Sequence, residues 1–206
     1  MKKSIEYTLG AILCTDSGGR LGNNNELVYR SKTDMSFFKE QTNNKVLLMD
    51  YKTFLSIPNI DKMRERVQDI VIVLNRFSKE VERDLKEQSY HIMYFNPKET
   101  TNNRERFHKD LSTIASNIYQ KDSVETVDFM IIGGSSLYNS LEILDVEYVI
   151  ITLVEVYDKR ARENIKADTF FDLQQLKAFR KIEILEEHSN QFRKLTMLRK
   201  SKKATP

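Results

Sequence analysis

Apolar residues along this chain gather in short, nearly unbroken runs, separated by longer polar stretches with apolar residues at helical spacing. The runs at 7–13, 45–49, 68–74 and 127–132 have no polar face of their own. That is the pattern of strands buried on both sides of a parallel sheet. Further strands are predicted over 90–95 and 147–154. Between them the spacing predicts helices over 32–39, with Met35, Phe38 and Phe37 turned to the core, and over 54–57, started at Thr53 and stopped by Pro58. Others follow at 78–88 (Val81 and Leu85 inward), at 105–119 (a stripe of Phe107, Leu111, Ile114, Ala115 and Ile118) and at 136–143. The last runs, 179–186 and 192–199, flank His188-Ser189-Asn190 and predict an antiparallel hairpin. Strands alternating with helices imply an α/β fold. The expected architecture is a three-layer α/β/α sandwich, its central sheet mostly parallel and closed by an antiparallel C-terminal edge hairpin.

Composition changes this picture little. With 206 residues, 40% hydrophobic and 31% charged, the chain is expected to form a single domain over 1–206 with a core that needs no staple. The net charge of +3, from 33 basic and 30 acidic residues, does not call for nucleic acid, and the basic excess sits at the ends. Cys14 is the sole cysteine, so no intramolecular disulfide can form, which fits a reducing cytoplasm. No apolar stretch approaches the roughly 20 residues of a membrane span, and no secretory leader is evident. The expectation is a cytoplasmic protein without membrane or nucleic-acid partners, monomeric or else a homodimer, and without a metal.

Several positions could carry chemistry. Gly133-Gly134 ends one buried strand and opens a helix, a place where a pyrophosphate can meet free backbone N–H groups, or simply a tight turn. Thr53 follows a second strand and is a helix cap or, with Lys52, a phosphate contact. Arg76 lies past a third strand, as a phosphate contact or a solvated arginine. Ligands of open α/β sheets sit at the carboxyl ends of the strands, so one extended phosphate-bearing cofactor would unite the three. Asp34 stands within a turn of Phe37 and Phe38, as a first-turn carboxylate favoured by the helix dipole or as an acid facing a pocket. The stretch 20–25, with three consecutive asparagines after Gly22, is expected to be a mobile loop with left-handed backbone.

Leu21-Gly22, Leu27-Val28-Tyr29, Asp34, Phe38-Lys39 and Thr42 stand in an order and spacing that resembles the dihydrofolate reductase signature. The resemblance continues through 46–49, 53–57 and 73–76, and resumes at 131–138, Thr152 and 168–171. It covers most of the chain except about 77–126, which reads as an elaborated segment. It implies NADPH-dependent reduction of dihydrofolate to tetrahydrofolate by hydride transfer. Catalytic roles then fall to Asp34, Tyr29 and Thr152: Asp34 would bind the pterin's 2-amino group and N3 and support protonation at N5, with Thr152 joined to it through hydroxyl and water. Ile12, Phe38, Ile57 and Ile132 would line the substrate, and Arg66, with Arg64 as fallback, would hold the folate tail. The cofactor would meet Ile12, Leu21, Gly22, Lys52, Thr53, Asn75, Arg76, Gly133, Gly134, Ser135, Ser136, Leu137 and Tyr138, with Lys52 and Arg76 on the 2′-phosphate.

The chain departs from the family pattern at particular places. The usual Pro-Trp is Val28-Tyr29, and the usual glycine after Met49 is Asp50, followed by Tyr51 in place of a basic residue. A carboxylate therefore stands close to the expected phosphate site. Two other readings remain open: a degenerate reductase kept as a structural or assembly component, and a riboflavin-pathway pyrimidine reductase of related fold.

Overall fold

The computed structural model describes residues 6–99, 103–122, 126–154, 163–188 and 192–199. Strand β1 (Glu6–Asp16) leads into the short β2 (Arg20–Asn23) and β3 (Glu26–Leu27), then helix α1 (Lys32–Gln41). There follow β4 (Val46–Asp50), α2 (Tyr51–Ser56), α3 (Ile60–Arg64), β5 (Asp69–Leu74), α4 (Lys79–Glu87) and β6 (His91–Tyr94). The second half runs α5 (Asn103–Asp122), β7 (Thr126–Ile131), α6 (Ser135–Tyr138), β8 (Tyr148–Val154), β9 (Thr169–Phe170), a 3-10 helix at Leu173–Ala178, β10 (Phe179–His188) and β11 (Phe192–Arg199).

The main sheet has the order β10-β11-β8-β1-β7-β4-β5-β6. From β8 to β6 neighbours are parallel, while β11 runs antiparallel to both β8 and β10. The expected sheet with its antiparallel edge hairpin is therefore the one observed; the expected turn at 189–190 lies outside the described residues. Alternation along each strand divides the core in two. Leu9, Ala11, Leu13, Leu48 and Val71 face one side, where Phe107, Leu111, Ala115 and Ile118 of α5 cover them. Ile12, Leu47, Met49, Ile70 and Ile72 face the other, under Phe37 of α1, Leu85 of α4 and the half-buried Phe54, Ile60 and Met63. Among the described residues no helix is long and apolar enough to cross a membrane.

Four local expectations need correction. The loop after Gly22 is a hairpin: Gly22 pairs with Leu27 and with Thr169, so β3, β2 and β9 form a small second sheet. Asn24 and Asn25 take the left-handed backbone expected of them, at φ 50° and 64°, and make its turn. On α1, Phe37 is buried, Phe38 half-buried and Met35 exposed, because the helix starts at Lys32 on the Ser31 cap and one register of its face meets the sheet. Helix α2 begins before Thr53: Asp50 is its cap, and Thr53 is the third residue inside. Helix α6 stops at Tyr138, short of the expected 143, because Asn139 is engaged elsewhere. Its amide donates to the Phe170 carbonyl and its Oδ1 accepts from the Asp172 N–H.

Candidate active site

Polar groups converge at the carboxyl end of the β1–β8 pair. In the register of these parallel strands Cys14 lies beside Thr152, so both side chains project from the same face, the one that carries Ile12. Helix α1 crosses that face. Ser31 accepts from the Asp34 N–H, which sets Asp34 in the first turn, and the Thr152 hydroxyl donates to Asp34 Oδ1 at 2.6 Å. The link is direct. The Cys14 thiol lies against the same carboxylate; burial first, then the Asp34 charge, push its pKa well up and keep it a neutral thiol.

Two residues further along the same face is Asp16, 2% exposed and absent from the residues singled out above. Its Oδ1 accepts from the N–H groups of Gly18 (2.9 Å) and Arg20 (3.1 Å). Its Oδ2 accepts from the Arg20 guanidinium (2.5 Å) and the Tyr29 hydroxyl (2.6 Å). Burial alone would raise its pKa, but the bonds from Tyr29, Arg20 and Gly18 outweigh it and hold the carboxyl below the usual range. Tyr29 is pushed the other way, by burial and then by Asp16, so it remains a protonated donor. The Tyr29 hydroxyl is thus committed to Asp16. At the far end of the same segment the Asn24 N–H donates to Asp168 Oδ2 (2.8 Å) and the Asp168 N–H to the Gly22 carbonyl (3.0 Å). The segment from 17 to 30 is therefore held at its base and at its tip.

Ile12, Phe38 and Ile57 belong to one apolar cluster, which extends to Ile132. Arg66 reaches from beyond α3 to the end of α1: its guanidinium donates to Thr42 Oγ1 (2.7 Å) and to the Lys39 carbonyl (3.2 Å), and lies 5.7 Å from the Phe38 ring centre. Arg64 is used elsewhere, on the Gln88 carbonyl and over the Tyr90 ring. Of the two arginines, Arg66 is the one beside Phe38.

Across the sheet, β7 ends in Gly133-Gly134, joined by a cis peptide. Gly133 has φ +147°, and a Cβ there would come within 2.8 Å of the Thr53 side chain. A Cβ on Gly134 would collide with the Asp50 carboxylate. The paired glycines are therefore required first by the protein's own packing. Asp50 Oδ1 accepts the Thr53 N–H at 2.7 Å, so a carboxylate of the chain already occupies that donor. Replacing Gly134 by alanine is expected to destabilise the fold by about 1–3 kcal/mol, the usual cost of overpacking. Adding Asp50→Gly, which removes the cap at a cost of only a few tenths of a kcal/mol or so, should recover most of the loss. Denaturant midpoints of the two single variants and the double variant measure this. Ser135 and Ser136 are half-buried on α6, and Leu137 is buried. The Tyr138 hydroxyl donates to the Ile12 carbonyl at 2.7 Å, which ties α6 to β1. Lys52 is exposed and acts electrostatically on Asp168, while Leu21 is buried. At the far end of the sheet Asn75 and Arg76 leave β5 and line a cleft of about 220 Å³ with Tyr94 and Asn96 from the end of β6.

The structure thus brings Asp34 and Thr152 together, with Ile12, Phe38, Ile57 and Ile132 in one adjoining cluster. It sets Gly133, Gly134, Thr53 and Asp50 against one another, and Asn75 and Arg76 in a separate cleft. Cys14 and Asp16 were not singled out as site residues, although period-two alternation from Ile12 carries that signal.

A parallel sheet covered on both faces, with polar groups gathered at the carboxyl ends of its strands, defines an α/β protein built to hold ligands there. A family model described as dihydrofolate reductase matches residues 8–200, and the chain belongs to the dihydrofolate reductase family of enzymes. A solved structure that resembles it is the dihydrofolate reductase from Enterococcus faecalis complexed with NADP(H) and RAB-propyl. That likeness has a TM-score of 0.59 at 17% identity and covers 93% of this chain and 96% of that one. No curated protein sequence matches this chain.

Proposed function

We propose that the chain reduces dihydrofolate to tetrahydrofolate with NADPH as reductant, as a single domain spanning its length. The observation that carries the reading is the Asp34 carboxylate, held by Thr152 at 2.6 Å beside the apolar cluster of Ile12, Phe38 and Ile57. A half-buried carboxylate of this kind suits a ligand that offers paired N–H donors, as an aminopyrimidine ring does. Asp34 accepts from the pterin's 2-amino group and N3 and supports protonation at N5. Phe38 and Ile57 wall the ring and the aminobenzoyl portion, and Arg66 meets the carboxylate of the tail. The loop from 17 to 30, fixed by Asp16 and Asp168, excludes water over Ile12 and Cys14.

The far cleft, where Arg76 stands exposed beside Tyr94, fits the phosphate-bearing adenosine end of NADPH. Ser135, Ser136 and the backbone around Gly133 and Gly134 would hold the diphosphate, opposed by Asp50. Lys52 would add a cation, Leu21 and Gly22 would close over the nicotinamide, and Tyr138 would stand near it. When bound, the reduced nicotinamide supplies the hydride that the pterin carbon next to N5 accepts.

Mixing the chain with NADPH and dihydrofolate is expected to oxidise the nicotinamide and form tetrahydrofolate in equal amounts, followed by absorbance. A folded chain that oxidises neither NADPH nor NADH in the presence of dihydrofolate would sink the reading. Asp50 against Gly134 is the observation that would then favour a reductase-fold component without turnover.

A further inference from the structure

The cleft beyond β5 and β6 contains more cationic chemistry than Arg76 alone. Arg106, on the first turn of α5, also lines it, together with Asn75, Phe77, Tyr94 and Glu99. Three separate elements thus meet there. The Arg106 guanidinium carbon lies 5.7 Å from the Tyr94 ring centre, and the Tyr94 and Phe77 rings stand 6.3 Å apart at a 35° tilt. Tyr94 is anchored by donating its hydroxyl to Glu82, while Phe77 is 62% exposed on the cleft.

Neighbouring arginines are engaged: Arg104 pairs with Asp145, and Arg83 with Asp84 and Glu87. Arg76 and Arg106 have no salt bridge among the described residues. The acid on the cleft, Glu99, accepts from the Asn96 amide and leaves the two guanidiniums in excess. Two guanidiniums without a salt bridge among the described residues, lining one cleft with two aromatic rings, suit a purine nucleoside with a phosphate on its ribose. At about 220 Å³ the cleft is sized for one end of a dinucleotide rather than the whole.

We propose that Arg106 is a specificity-determining residue. Together with Arg76 it clamps the 2′-phosphate on the adenosine ribose of NADPH, and Tyr94 and Phe77 flank the adenine. This rests on the reductase reading for the identity of the whole ligand, but not for the chemistry of the cleft. It also gives a role to the segment at about 77–126: α5 supplies a cation to the cofactor end of the sheet, in a chain where Asp50 and Tyr51 stand instead of glycine and a basic residue.

The test is calorimetric titration of the full chain at fixed low salt. The probes are adenosine 2′,5′-bisphosphate, which bears a phosphate at the ribose 2′ position, and adenosine 5′-monophosphate, which has only the 5′-phosphate. Arg106→Gln is expected to weaken bisphosphate binding about tenfold and to leave monophosphate binding within about twofold. Arg106→Lys should recover part of the loss. Arg106 is exposed, so the variants should fold, and circular dichroism checks it. Equal weakening of both nucleotides, no weakening of either, or no bisphosphate binding by the wild type would each overturn the proposal. An Arg106-dependent bisphosphate preference in a chain that fails to reduce dihydrofolate would uphold it and refute the reductase reading instead.

Discussion

Asp34→Asn is expected to lower kcat/KM for dihydrofolate by roughly 10²–10⁴-fold, the range lost when a positioned acid–base group is removed. The asparagine keeps the shape of the side chain, and its Oδ1 can still accept the Thr152 hydroxyl that now bonds Asp34 at 2.6 Å. What disappears is the negative charge, and with it the partner for a protonated pterin. The loss should therefore fall on kcat as well as KM, and it should shrink as the pH is lowered and the substrate carries its own proton. Thr152→Val should cost less, because it removes one donor and leaves the charge in place. Steady-state kinetics across pH for the three proteins measures both effects. Turnover by Asp34→Asn within about tenfold of wild type would remove Asp34 from the chemistry.

Asp16→Ala should be the most damaging substitution for stability. It would strip a nearly buried carboxylate from four donors at once and strand the Arg20 guanidinium and the Tyr29 hydroxyl. Breaking a buried pair by removing one partner costs about 3–5 kcal/mol. The Arg20 side chain is 21% exposed and can turn to water, which favours the lower end. At about 3 kcal/mol, Tm falls by roughly 6–12 °C for a chain of this length. The pH dependence has a defined sign. The folded carboxyl of Asp16 lies below its ordinary value, so its contribution is full above the unfolded pKa of about 4 and is lost as pH falls through the lowered folded value. Thermal melts at neutral and acid pH should show this acid loss in the wild type and its absence in Asp16→Asn. An unchanged acid slope would show that the carboxyl is not held ionised.

The sheet was legible because its strands are unbroken apolar runs, and the edge hairpin because its two runs flank the short polar stretch His188-Ser189-Asn190. Asp34 and Thr152 could be named from a resemblance in spacing, since both lie in segments of ordinary length. Other features depend on contacts distant in sequence. Asp16 looks like a turn residue until Tyr29, 13 positions on, is folded back onto it. Thr53 looks like a helix cap until Asp50 takes that position. Met35, expected inward with Phe37 and Phe38, is exposed because the burial of α1 is decided by the sheet it crosses, which its own periodicity cannot report.

Thr152 stands between Cys14 on β1 and Lys194 on β11. The last strand of the chain is therefore what keeps β8 from being the rim of the sheet. A chain ending near residue 180 would keep Asp34 and the far cleft, yet it would bare the hydrogen-bonding groups of an apolar strand to other molecules. Such a fragment is expected to self-associate through the strand that carries the Thr152 hydroxyl, so the packing of that strand against β11 also guards the bond to Asp34.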